Sequence, residues 1–208
     1  EKGIYSIEKF LIARRLMYWQ VYLHKTVVSA ENMLIKVLKR AKELLNDEKE
    51  VCTNHFLGKF LRNNYTIIDF ENSSELLNDF AELDDFDIYA SLKYWKNNPD
   101  FVLSSLSKMI LNRKLLKIKV QSTAFTVSEI NTEIEKVKQH YNITKKEAEY
   151  FIFSDKISNS TYNIEKSNIN ILMKNNDVID ITTASGQFNI DALKKTINKY
   201  FMCYPKLK

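Results

Sequence analysis

Apolar residues recur at three- and four-residue spacing through most of the first half of the chain, and at alternate positions only near its end. From Ser6 to about Asn46 the pattern is helical. Ser6 reads as an N-cap and Glu8 falls in the first turn, where the helix dipole favours an anion. No glycine or proline interrupts the chain between Gly3 and Gly58. One unbroken helix here would be roughly 60 Å long, whereas helices average about 11–12 residues. Either the helix is unusually long or it bends near residues 26–32. Leu34, Leu38, Ala41 and Leu45 form its apolar stripe, while Lys36, Lys39, Arg40 and Glu43 read as a solvated face.

Further along, His55 to Leu61 reads as a short helix and Arg62–Asn64 as a connector. Ser74 to Phe80 begins another helix. Asp85 caps a segment through Trp95 that stops at Asn97-Asn98-Pro99. Pro99 suits the first turn of a following helix reaching about Asn112, so the two should pack as a hairpin. Leu103, Leu106 and Ile110 give the second helix its buried stripe. Leu115 to Val120 reads as a strand, and Val127 to Tyr141 as a helix with Ile130, Ile134 and Val137 on one side. Tyr150–Phe153 is a short apolar run. Ile169, Ile171 and Met173 alternate with Asn168, Asn170 and Leu172, which is a strand pattern. Lys174 to Asp177 is a polar turn, and Val178 to Ile181 is the hairpin partner. A last helix is expected, capped by Asn189, with Ile190, Leu193, Ile197 and Phe201 buried. The order predicts an α+β fold. Residues 1–113 would be a helical region and residues 114–208 a small mixed region.

Composition narrows the chemistry. With only Gly3, Gly58 and Gly186, neither a P-loop nor a dinucleotide fingerprint can be drawn. The net charge of +5 comes from 31 basic and 26 acidic residues. The basic residues are scattered rather than massed on one face, so nucleic acid is a minor expectation, centred on the helix around residues 36–42. Cys52 and Cys203 make no disulfide framework, and no apolar run reaches the roughly 18 residues of a membrane span. The expectation is a reduced, cytoplasmic protein. Residue 1 is glutamate, so the chain is expected to be processed, trimmed or part of something longer.

A hydrolytic metal site needs several converging His and Asp ligands. His24, His55 and His140 are too scattered to supply one, and no metal ligand is assigned. Glu82, Asp84, Asp85 and Asp87 read as helix capping rather than paired catalytic carboxylates. Cys52 lies three residues before His55, but spacing alone does not make a nucleophile.

Residues 14–25 are the informative stretch. At about 100° per residue, Arg14, Tyr18, Tyr22 and Lys25 share one quadrant of a helix. Arginine offers a planar fork matched to phosphate oxygens. Tyrosine adds a flat apolar face and a hydroxyl donor. The stripe suits a nucleotide, with phosphates at Arg14 and sugar or base against tyrosine. The bland alternative is half-buried tyrosines with cations that snorkel to water.

The run YSIEKFLIARRLMYWQVYLHK, Tyr5 to Lys25, resembles the helix that follows the catalytic centre in HD-domain deoxynucleotide triphosphohydrolases. DIYASLKYWKNNPDFVLSSLSKMILNRKLLKI, residues 87–118, resembles that family's helix pair and strand. The resemblance implies a metal-dependent phosphohydrolase that releases triphosphate whole from the nucleoside. It implies that Arg14 contacts substrate phosphates and that Tyr22 lies beside the sugar. His24 and Lys25 match positions near an activator-nucleotide site between subunits in regulated members, although Leu23 and Gln20 depart from the regulated animal enzyme. The HD motif itself is absent. The chain therefore reads as the C-terminal region of such an enzyme, inactive alone and without metal ligands, completing the nucleotide pocket and holding a homo-oligomer together. The alternative is a non-catalytic oligomerisation or interaction module.

Overall fold

The computed structural model describes residues 2–159, 169–184 and 197–207. They fall into two compact units assembled from interleaved segments. The first takes Glu1–Val28, Ile118–Glu133 and Ile152–Tyr204; the second takes Ser29–Lys117, Ile134–Phe151 and Pro205–Lys208. The mixture of helices and small antiparallel sheets is the expected α+β class. No described helix is long and apolar enough to cross a membrane.

The chain opens with α1 (Lys2–Met17), a π-helical turn (Tyr18–Tyr22) and α2 (Lys25–Asn46). Thus the long helical pattern is broken at residues 23–24, not at 26–32. Ser6 is no cap: α1 is already under way at Lys2, and Glu8 is buried rather than exposed in a first turn. The buried face of α1, Ile4 and Leu11 with Ile7 and Ile12 beside them, packs on Ile181, Ile169, Ile171 and Met173. Those partners come from a hairpin, β3 (Asn170–Leu172) and β4 (Val178–Asp180), and the short α10 (Ile181–Ala184). The hairpin pairs Ile171 with Ile179. Its turn carries Asn176 at φ 66°, a left-handed conformation that asparagine tolerates better than most residues.

Three more strands form a second sheet. β2 (Phe153–Asn159) runs antiparallel to β5 (Ile197–Tyr204), pairing Phe153 with Cys203 and Ile157 with Lys199. β5 is the middle strand, with β1 (Lys117–Gln121) on its other side. This corrects the expected terminal helix, because Ile197 and Phe201 lie on a strand. Ile197 to Tyr204 is rich in aromatic and β-branched residues, which suit a pleated, half-buried surface. The expected cap Asn189, with Ile190 and Leu193, lies outside the described residues.

In the second unit, α3 (His55–Arg62), α4 (Ile67–Asn72), α5 (Ser74–Ala81), α6 (Asp85–Trp95) and α7 (Phe101–Leu111) follow α2. α8 (Val127–Tyr141) ends here, followed by α9 (Lys145–Ala148). The deepest line along α2 is Met33, Val37, Ala41 and Leu44. That is one residue earlier than the expected stripe at most positions; Leu34, Leu38 and Leu45 flank it half-buried. α6 and α7 form the expected hairpin, with Leu92, Trp95, Leu103 and Leu106 fully buried. The Trp95 indole N–H donates to the Cys52 carbonyl oxygen at 2.7 Å, which satisfies its one polar atom. With so few glycines, α2, α7 and α8 end on left-handed Glu48, Arg113 and Asn142. Each end is closed by a backbone bond over five residues, Lys49 to Leu44, Lys114 to Met109 and Ile143 to Lys138.

Arg40 is the clearest departure from the sequence reading. It lies in the core instead of on a solvated face, 8% exposed. Its Nε and Nη2 donate to Asp100 at 3.1 and 2.6 Å, and Nη1 donates to Glu43 at 3.1 Å. Asp100 is also the N-cap of α7, accepting the Leu103 N–H at 2.8 Å. The buried guanidinium is tolerated because each of its three nitrogens donates to a carboxylate and its central carbon lies 5.7 Å from the Tyr150 ring centroid.

Asp100→Ala should therefore cost about 3–5 kcal/mol of unfolding free energy, since it strands a buried cation and removes a cap. Burial disfavours the Asp100 carboxylate, but the Arg40 hydrogen bonds, the Leu103 N–H and the Arg40 charge outweigh it and hold its pKa below the ordinary value. A lowered folded pKa gives stability that is complete above about pH 4 and lost as pH falls through the folded value. The gap between the wild type and Asp100→Asn in urea midpoint should be wide near neutrality and shrink in acid. A gap independent of pH would contradict the assignment.

Candidate nucleotide-binding groove

The last two turns of α1 present Phe10, Ala13, Arg14 and Met17 along one side. The π-helical turn adds Tyr18 and Tyr22 to the same side. Together these six residues line a groove of about 320 Å³ in the first unit. Its walls are apolar apart from the Arg14 fork and the two phenol groups. The Arg14 guanidinium carbon lies 5.6 Å from the Tyr18 ring centroid. The Tyr18 and Tyr22 rings are 5.1 Å apart at 46°.

The sequence stripe thus survives for Arg14, Tyr18 and Tyr22 but not for Lys25. The Leu23 N–H donates to the Tyr18 carbonyl oxygen at 2.7 Å, a span of five residues instead of four. Leu23 then leaves helical geometry at φ −102°, ψ 18°. A uniform step of about 100° per residue does not hold through this break. His24 and Lys25 consequently lie in a second groove of about 260 Å³, with Trp19, Leu23, Val120, Ile157 and Lys199. The Lys199 ammonium sits 4.3 Å from the Trp19 ring centroid. Trp19 and Leu23 therefore line one groove, and their neighbours Tyr18 and Tyr22 line the other.

His24 has a structural task that the sequence reading did not assign. Its Nδ1 accepts the Thr26 N–H at 3.3 Å, so the side chain caps the restart of the helix at Lys25 in the manner of an N-cap. Lys199 was also missed. Residues 197–201 were read as a helical stripe, whereas a strand places Lys199 beside Trp19.

Asp84, rather than Asp85, caps α6, accepting the Phe86 and Asp87 N–H groups, while Asp87 reaches back to the Asp84 N–H. The capping box accounts for Asp84 and Asp87. Cys52 is exposed and Cys203 buried, and neither is in a disulfide. No group of three or more His, Cys, Asp or Glu side chains converges among the described residues.

No family model matches the chain. It is similar to a phosphohydrolase from Bacteroides thetaiotaomicron whose crystal structure is solved, at 42% identity and a TM-score of 0.90. That likeness covers 99% of this chain and 51% of the phosphohydrolase. The chain is also 29% identical over 223 residues to the uncharacterized protein YwfO of Bacillus subtilis, covering 99% of this chain and 46% of YwfO. This chain spans about half the length of the relatives it matches. Over nearly all of its residues, then, it is similar to one half of a phosphohydrolase.

Proposed function

We propose that this chain is the C-terminal portion of an HD-type, metal-dependent (deoxy)nucleoside triphosphate phosphohydrolase, and that the groove at Arg14 and Tyr22 receives the nucleotide. The observation that carries the reading is the Arg14 fork, paired with no carboxylate among the described residues, above an apolar, tyrosine-walled groove. The similarity to a phosphohydrolase supports it. Arg14 would donate to phosphate oxygens, and Tyr22 would lie against the sugar. As triphosphate departs with its growing charge, a fixed guanidinium stabilises it more than it stabilises the bound substrate. Phe10, Ala13 and Met17 limit water around the phosphates. A bound divalent metal would supply the activated water in such an enzyme. The described residues do not converge into a set that fits one, so no step is assigned to it and no catalytic residue is assigned here.

In the same reading, His24 and Lys25 contact a regulatory nucleotide, a role that the neighbouring Lys199 supports. Homo-oligomer contacts are part of the proposal as well. They draw support from a groove of about 510 Å³ in the second unit, lined by Ile67, Phe70, Glu71, Leu77 and Phe80. Ile67 is 77% exposed and Phe80 53%. Nucleic acid draws less support, because the helix at 36–42 spends Arg40 on Asp100 and Lys42 on the Asn63 carbonyl oxygen.

The test uses the intact gene product, divalent metal and an equimolar mixture of the four common deoxynucleoside triphosphates. Release of inorganic tripolyphosphate is expected. Arg14→Ala should lower kcat/KM about 10- to 100-fold, the value of a charge-assisted contact of about 1.5–3 kcal/mol. Arg14 and Tyr22 are exposed, so alanine at either should change stability by no more than about 0.5 kcal/mol. A large stability loss with unchanged kinetics would return the stripe to mere packing. No hydrolysis by the intact protein would sink the enzyme reading. For the oligomer, sedimentation should show a larger species that Phe80→Glu reduces; a wild-type monomer at all concentrations would contradict it.

A further inference from the structure

Arg14 and Tyr22, the two proposed contacts, stand eight positions apart and both are exposed. Burial therefore fixes neither side chain. Among the described residues Arg14 pairs with no carboxylate, and its guanidinium lies over the Tyr18 ring. Tyr18 is half-buried and sits between the two, 5.6 Å from the guanidinium carbon and 5.1 Å from the Tyr22 ring. We infer that Tyr18 is a positioning residue, holding the Arg14 fork and the Tyr22 ring at a set spacing across the groove. The inference rests on the nucleotide reading of that groove.

Two features of the geometry carry it. A guanidinium held over a ring by cation–π attraction, as Arg14 is at 5.6 Å from the Tyr18 centroid, gives none of its N–H donors to a carboxylate, so they stay available to a phosphate. A carboxylate partner would have consumed those donors. The second feature is in the backbone. The Tyr18 carbonyl oxygen accepts the Leu23 N–H at 2.7 Å, the bond that widens the turn carrying Tyr22. One residue thus sets the Arg14 rotamer with its ring and helps set the approach of Tyr22 with its carbonyl. Tyr18 itself needs no contact with the nucleotide. Its effect passes through Arg14, and a double-mutant cycle detects that coupling.

The experiment is titration calorimetry of the intact gene product with inorganic tripolyphosphate. This probe reads the phosphate end of the groove whatever the base preference. Tyr18→Leu should weaken binding roughly three- to tenfold, the range of one partly desolvated cation–π contact. Tyr18→Phe, which keeps the ring, should restore most of the affinity. In an Arg14→Ala background, Tyr18→Leu should add nothing. Equal losses in both backgrounds, or an unchanged Tyr18→Leu affinity, would overturn the positioning role. Should the leucine variant fail to fold, Tyr18→Met replaces it under the same criteria. If Arg14→Ala alone leaves tripolyphosphate affinity unchanged, or the wild type binds none, the nucleotide reading falls and takes this inference with it. If Arg14→Ala weakens binding while Tyr18 acts additively, only the positioning role is lost.

Discussion

One backbone hydrogen bond, from the Leu23 N–H to the Tyr18 carbonyl oxygen, governs the part of the molecule where chemistry is proposed. It spans five residues, so the helix widens before it stops. Without it, a regular helix would carry Lys25 onward with Arg14, Tyr18 and Tyr22. With it, the tyrosines stay with Arg14, and Lys25 joins His24, Trp19 and Lys199 elsewhere. π-helical turns are costly insertions that occur often at functional sites. This one divides a single amphipathic run into two grooves with different chemistry.

Two arginines show how surroundings separate structure from function. Arg40 is buried, and its donors are taken by Asp100 and Glu43. Removing a partner would leave a buried charge only partly compensated, which is a stability matter. Arg14 is exposed and rests on an aromatic face. Its donors are committed to no carboxylate among the described residues. A cation kept free above apolar walls is what an anionic ligand needs.

Periodicity read the helices best where one face is plainly apolar. α8 was located to the residue, and the α6–α7 hairpin with its buried Leu103 and Leu106 was legible in the apolar spacing, although Pro99 precedes α7 instead of sitting in its first turn, and Asp100 is the cap. The β3–β4 hairpin was equally legible, because alternation and a polar turn coincide there. Residues 197–204 misled, since Ile197 and Phe201 fit a four-residue spacing as well as an alternating one. Spacing cannot separate these over so short a run. The short α4 was missed because its Thr66 cap and Asp69 capping box sit in a stretch too short for periodicity. Arg40 was misread because its partner Asp100 is sixty positions away, beyond the reach of any local pattern.

For the groove, residue types and helical spacing sufficed to bring Arg14, Tyr18 and Tyr22 together. No spacing rule foretells a π-helical turn, so the fate of Lys25 and the second groove was not legible. The account's central claim is that the first of these grooves holds a nucleotide by its phosphates. The most direct measurement is a crystal structure of the intact protein with a non-hydrolysable deoxynucleoside triphosphate. The account predicts phosphate oxygens within hydrogen-bond distance of the Arg14 guanidinium and the sugar against the Tyr22 ring. Nucleotide bound elsewhere, with the Arg14 groove left to solvent, would contradict it.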